Sequence, residues 1–318
     1  MTESKDTKET KFFRIRIRSI FPETPTEFNL YVFINGRHVL YLHAGDKLTT
    51  EKLKTLESHP GAAFYIQEKD IPIYKKYIHR EVNSDRLDPR QKATILRESS
   101  YALVEELYEN PDVNKALDES KEVINGFVSF MDAVPEGMAH LISLSSHDFY
   151  TYNHSLDVGI YCLGIAKSQN YNARDLLEIG QGALFHDVGK RMVSVDIICK
   201  SGPLDDMEWA QMSRHPQFGL KILNENGNVS DAIKACCFEH HENFLGTGYP
   251  QALKGPDIHP YARMVALADT YDALTTKRSY NKPMMPKDAL NFMNQKLMDR
   301  FDPELLKAFT SVLFKLES

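Results

Sequence analysis

The sequence contains no run of about 18 apolar residues, so no membrane-spanning helix is expected. Its first ten residues, Met1 to Thr10, are polar and charged and read as a disordered tail without the apolar stretch of a secretory signal. Positive charge is not in excess, with 38 Lys+Arg against 44 Asp+Glu and a net charge of −6. That removes the global basic field used to gather nucleic acid, and neither DNA, RNA nor membrane is expected as a partner. A small anionic ligand stays open, because its site needs only local positive charge. Cysteine is scarce: Cys162, Cys199, Cys236 and Cys237 form no C-x-x-C pair. A thiolate zinc site and a disulfide framework are therefore not expected; reduced core thiols in a cytoplasmic chain are. Internal repeats and low-complexity linkers are absent too.

What is present is an ordinary globular composition, 42% hydrophobic and 26% charged over 318 residues, enough for two domains. Residues 11–80 read as a small α+β accessory domain. Phe13 to Arg18 alternates with strand period, placing Arg14, Arg16 and Arg18 on one solvated face. Tyr31–Ile34 and Val39–Leu42 flank Asn35-Gly36, a hairpin signal, since both residues tolerate positive φ. A short helix is expected over Leu48–Leu56 with Thr49 or Thr50 as cap, then a strand over Ala63–Ile66. Residues 81–140 read as a helical connector. Asp88-Pro89 starts one helix, Asn110-Pro111 breaks it, and a second covers about 112–132. The apolar stripes of these helices are candidates for pairing subunits in a homodimer.

From 141 to 318 the pattern is nearly all helix. Leu176, Ile179, Ala183 and Asp187 share a stripe that ends in His186-Asp187-Val188-Gly189-Lys190. A carboxylate finishing an apolar stripe is costly unless paired, hydrogen-bonded or bound to a metal. His154 lies on a stripe with Val158, Tyr161 and Ile165, and Ser230 can cap a helix ending at His240-His241. A helix opened by Pro260 puts Asp269 and Asp272 on one face. The candidate ligands are thus His154, His186, Asp187, His215, His240, His241 and Asp269, spread over different helices as bundle metal sites are. Seven exceed the three or four of a mononuclear zinc site and suit two ions sharing bridging groups. Nitrogen and oxygen donors without thiolate suit iron, manganese, zinc or cobalt. Beyond the paired histidines, Gly246-Thr247-Gly248-Tyr249-Pro250 permits a tight loop that brings an aromatic ring beside them.

These pieces, with His215-Pro216 and Asp269-Thr270-Tyr271-Asp272-Ala273-Leu274-Thr275, resemble the HD-GYP family of bacterial cyclic di-GMP phosphodiesterases. The resemblance spans about 148–290 and leaves the N-terminal half uncovered. It implies an all-α HD-GYP helical bundle behind the α+β accessory domain, and the seven candidates as ligands of two divalent ions, iron or manganese. It further implies Lys190 at the scissile phosphate and Asp272 in a supporting role. Asp148, Tyr249, Arg278 and Lys282 would line the substrate, and Gly246, Gly248 and Pro250 would shape the loop. Three positions depart from the family pattern: Leu245 replaces the usual Asp of the loop, Asn281 stands near an expected basic residue, and Tyr150 occupies the place of a Glu found in three-metal members.

The implied reaction is hydrolysis of cyclic di-GMP to linear pGpG, and possibly GMP, by a hydroxide bridging the metal ions. A cyclic GMP-AMP substrate is equally compatible. The alternative is a catalytically weak metal-bearing receptor that signals through the N-terminal domain to a protein partner, which Leu245 and Asn281 motivate. A simpler HD nucleotide phosphohydrolase is less compatible, because it needs neither the paired histidines nor the Gly-Tyr-Pro loop.

Overall fold

A computed structural model describes residues 10–57, 63–109, 112–134, 136–144, 151–225, 228–277 and 282–314. The chain divides into two compact units, residues 1–102 and 103–318. The first is a four-stranded antiparallel sheet with helices, and the second has helices joined by loops among its described residues.

In the first unit the strands are β1 (Phe12–Ile15), β2 (Leu30–Ile34), β3 (Arg37–Leu42) and β4 (Phe64–Gln67), in the order β1-β4-β2-β3. The hairpin is as expected: Asn35 and Gly36 both take positive φ, and Ile34 pairs with Arg37. The run through Arg18 is not one strand. The chain leaves the sheet after Ile15 because a 3-10 turn over Ile17–Ser19 closes on the Arg16 carbonyl, which accepts from Ser19 Oγ at 2.6 Å. Arg14, Arg16 and Arg18 therefore do not share a strand face, and the Arg16 guanidinium lies over the Tyr101 ring. Helix α1 (Thr50–Glu57) starts two residues later than expected, with Thr49 Oγ1 accepting from Lys52 N. Helix α2 (Ile71–Val82), which the sequence pattern did not reveal, ties down the segment before β2. Tyr77 Oη accepts from Phe21 N, Tyr74 Oη donates to Ser19 Oγ, and both rings meet Phe28 edge-on.

Helix α3 (Pro89–Glu109) opens with Asp88 and Gln91 exchanging side chain-to-backbone hydrogen bonds, and it crosses the division between the units. Residues 110–111 lie outside the described residues. Helix α4 (Val113–Ala133) is capped by Asp112. Its apolar stripe packs on α7 (Ala173–Phe185) of the same chain, so the face considered for subunit pairing is used internally.

The remaining helices of the second unit are α5 (Gly137–Ser143), α6 (Thr151–Ser168), α8 (Val195–Ile198), α9 (Asp206–Met212), α10 (His215–Asn224), α11 (Asp231–Glu239), α12 (Pro260–Thr275), α13 (Pro286–Lys296) and α14 (Pro303–Phe314). Helix α7 is the centre, touching α4, α6, α11 and α12. Small residues make that possible: a Cβ on Gly180 would meet Ile124 at 2.9 Å, and one on Gly182 would meet Cys236 Sγ at 2.5 Å. The buried amide of Gln181 donates to Leu117 O and Ser120 Oγ, a polar link within the α4–α7 contact. Cys162, Cys236 and Cys237 are buried, as expected of core thiols, whereas Cys199 follows α8 on the surface and is exposed. Among the described residues no helix is long and apolar enough to cross a membrane.

Helix α14 is held by an aromatic triad, in which Phe309 meets Tyr271 and Tyr161 edge-on at 5.1 and 6.0 Å. Phe309→Ala should cost about 3–5 kcal/mol, because the cavity lies between three helices and cannot collapse. The expected reading is a lower urea midpoint with an unchanged slope.

Candidate metal centre

Helix ends bring the site together. His154 projects from α6, His186 and Asp187 follow α7, His215 begins α10, His240 and His241 follow α11, and Asp269 and Asp272 sit on α12. Lys190 lies in a 3-10 turn over Val188–Met192. The turn packs so closely on α10 that a Cβ on Gly189 would stand 1.9 Å from the His215 carbonyl, so this position requires glycine.

The seven candidate ligands converge. His154, His186 and Asp269 form one group and His215, His240 and His241 another, each with donor atoms within 4.8 Å of one another. Asp187 stands between them. Its Oδ2 is 3.3 Å from His186 Nε2 and 3.6 Å from His154 Nε2. Its Oδ1 is 3.3 Å from His215 Nε2 and 3.7 Å from His240 Nε2. One carboxylate thus offers one oxygen to each group.

The tautomers are fixed from behind. The Nδ1–H groups of His186, His215 and His240 donate to the carbonyls of Ala183, Met212 and Cys237, at 2.6, 2.7 and 2.9 Å. A carbonyl cannot donate, so each neutral ring presents a bare Nε2 lone pair to the centre. The Nε2 atoms of His215 and His240 are 3.2 Å apart, as are those of His241 and His215. The His215 and His240 lone pairs face each other at that distance and repel unless a cation lies between them, whereas the His241 ring is free to donate its Nε2–H to His215. His154 is oriented differently, through Nδ1 to Asp272 Oδ2 at 2.7 Å, while Asp272 Oδ1 accepts from Thr276 Oγ1. The Nε2 atoms of His154 and His186 and the Oδ1 of Asp187 are buried and make no hydrogen bond. His154 Nε2 does lie 3.2 Å from Asp269 Oδ1, but without hydrogen-bonding alignment.

Electrostatics agree with this geometry. Burial, reinforced by the neighbouring rings, holds His240 well below the usual imidazole range. Burial likewise depresses His215 to about 4 and His241 to about 3. These rings are neutral at pH 7, as ligands must be. Burial opposes ionisation of Asp187, yet Lys190 first and then His186 keep it well below the usual carboxylate range. Asp269 is held down against burial by His154, then by His186 and His241. Burial opposes charge on His154, but Asp269 and Asp272 outweigh it and lift that ring to about 9, so unlike the other rings it must release its Nε2 proton to act as a ligand. The centre is therefore a cation-seeking cavity, and the donor set fits hard to borderline divalent metal ions.

Around the centre, Lys190 Nζ pairs with Asp187 Oδ2 at 2.5 Å and stays partly exposed. Tyr249 lies flat against His241, with centroids 4.7 Å apart and planes 22° from parallel. Gly248 is required where the loop crosses the chain, since a Cβ there would meet Glu242 Cα and His241 O at 2.5 Å. Gly246 takes a φ of +79°, and the Tyr249–Pro250 peptide is cis. Glu242 carried no assignment in the sequence reading. It is buried and accepts from Gln251 N and Leu253 N, clasping the far side of the loop. Asn243 makes the turn, its Oδ1 accepting from Leu245 N and Thr247 N. Both follow the paired histidines directly, and the Asn-x-x-x-Thr spacing was the available signal for the turn. Leu245 is exposed and lines a cleft of about 470 Å³ with Met298 and Phe301. Lys282 is exposed on the segment leading to α13. Asp148, Tyr150, Arg278 and Asn281 lie outside the described residues.

The HD domain model matches residues 136–305. A cyclic di-GMP phosphodiesterase of Pseudomonas aeruginosa, PA4108, is 31% identical over 223 residues, 70% of this chain and 54% of the relative. A 3'3'-cGAMP-specific phosphodiesterase 3 of Vibrio cholerae is 30% identical over 66% of this chain and 48% of its own. The chain spans about half the length of these curated relatives. A solved structure, Bd1817, a HDG"Y"P protein from Bdellovibrio bacteriovorus, superposes with a TM-score of 0.74 over 96% of this chain and all of that one, at 20% identity. The chain belongs to the HD domain family, in the HD-GYP form marked by its paired histidines and Gly-Tyr-Pro loop.

Asp272→Asn removes the anion that orients His154. Metal affinity should fall about 10–100-fold in a chelator competition, while the circular dichroism spectrum stays unchanged.

Proposed function

We propose that this chain is a metal-dependent phosphodiesterase that opens cyclic di-GMP to linear pGpG. The observation that carries this reading is Asp187, one buried carboxylate with an oxygen facing each of two histidine groups. That arrangement supports two divalent ions, iron or manganese by donor type, held by His154, His186 and Asp269 on one side and His215, His240 and His241 on the other. Bound there, such ions supply Lewis acidity and lower the pKa of water from about 15.7 toward 7, which phosphodiester hydrolysis at neutral pH requires.

The chain's own groups do the rest. Lys190 is fixed by Asp187 and partly open to solvent, so its ammonium can meet a phosphoryl oxygen beside the centre. Tyr249 stacks on His241 and steadies that ring. Lys282, together with Arg278 and Asp148, remains assigned to substrate by resemblance. Residues 141–318 form the catalytic domain in this reading, residues 81–140 lead into it, and residues 11–80 serve as accessory domain and docking site for a protein partner. The relatives named as cyclic di-GMP and 3'3'-cGAMP phosphodiesterases support the substrate class.

A receptor without turnover is the second reading, and Leu245 is its motive. The turn bearing Leu245 is built by Asn243, however, and its side chain lines the cleft beside Met298 and Phe301. The loop thus holds its form without a carboxylate at 245.

Anaerobic purification, metal quantification and chromatography of cyclic di-GMP products with Fe(II) or Mn(II) test the proposal. Two ions per chain and a pGpG peak are expected, and a variant carrying His154→Ala and Asp187→Ala should lose both. Full metal content and turnover in that variant would sink the assignment. Saturable binding without product would favour the receptor.

A further inference from the structure

We propose that Trp209 is a binding residue for a purine base of the substrate, an inference that rests on the cyclic-dinucleotide reading above. Trp209 is the chain's one tryptophan, and 52% of its surface is exposed. Tryptophan is usually largely buried, so a half-open indole calls for a reason. Helix α9, which carries it, is well anchored. Asp205 and Glu208 form a reciprocal capping box, and Lys200 pairs with Glu208. The ring is thus held open on a fixed support rather than on a loose loop.

Its position gives the reason. Trp209 meets the Tyr249 ring at 6.0 Å and 78°, and Tyr249 lies flat on His241. Three rings therefore form a continuous wall from the His215–His240–His241 group to solvent. Tyr249 gives one face to His241, which leaves the indole as the open aromatic surface at the outer end. A phosphodiester placed beside Asp187 and Lys190 carries a nucleoside on each side, and one base reaching outward along this wall arrives at Trp209. Stacking on an indole accepts any purine face. The residue therefore favours cyclic dinucleotides over phosphodiesters without bases and does not separate guanine from adenine.

The test uses the metal-loaded full chain. Stopped-flow tryptophan fluorescence on mixing with cyclic di-GMP should show saturable quenching before turnover, and with a single tryptophan the signal reports this position alone. Trp209→Ala should raise KM about tenfold, leave kcat within about twofold and keep the metal content; Trp209→Phe should restore most of the loss. Wild-type turnover without quenching, with KM unchanged in Trp209→Ala, would overturn this inference and leave the activity standing. Loss of metal and kcat in Trp209→Ala without rescue by phenylalanine would also overturn it, showing a clamp on the Tyr249 loop. A wild type that neither binds nor hydrolyses cyclic di-GMP would overturn the activity and this inference together.

Discussion

The structure depends on keeping one carboxylate ionised inside a helical core. Asp187 is 1% exposed, and water cannot stabilise its charge. Burying such a charge is tolerable only with cationic partners and directed donors. Lys190 supplies one cation directly, and His154 is raised toward a second. The lone pairs of three histidines aimed at the same space make room for more. The fold solves a charge problem that it creates by placing an acidic residue just past the end of its central helix.

The arrangement of helix ends follows from that. Helix α7 is threaded through the unit on small residues, so its C-terminus arrives where α10 begins and α11 ends. The free carbonyls at helix C-termini, which would otherwise lack partners, accept the Nδ1–H of His186 and His240. Backbone groups that need donors and rings that need orienting satisfy each other. Residues Gly189 and Gly248 allow the approach of backbone to backbone on either side of the centre.

Much of this was readable from the chain, and the reasons are local. Polar residues on otherwise apolar helical stripes exposed the His and Asp set, because few other arrangements bury so many. The Asn35-Gly36 turn and the helix start at Asp88-Pro89 were readable because each motif is complete within a few residues. Long-range facts were not. The alternation through Arg18 overran the strand because Ser19 closes a turn on the Arg16 carbonyl through both its backbone N–H and its hydroxyl, which no period encodes. The stripe of α4 gave its apolar face but not its partner, and α7 of the same chain fills that place. Helix α2 was missed because its aromatic residues pack as a helix only once Phe28 and Ser19 are beside them. The role of Glu242 was hidden because its partners lie nine and eleven residues away in an irregular loop.

The three buried cysteines carry one more consequence. Cys236 and Cys237 sit on the last turns of α11, and the Cys237 carbonyl orients a ring of the centre. Burial pushes both thiols well above their ordinary range, and Cys162 is pushed up in the same way. Only a thiolate competes effectively for a metal. Sulfur is thus kept protonated, first by burial and then by nearby acidic groups, Asp187 for Cys237 and Asp269 for Cys162. Soft ions that sulfur would retain find only imidazole and carboxylate here.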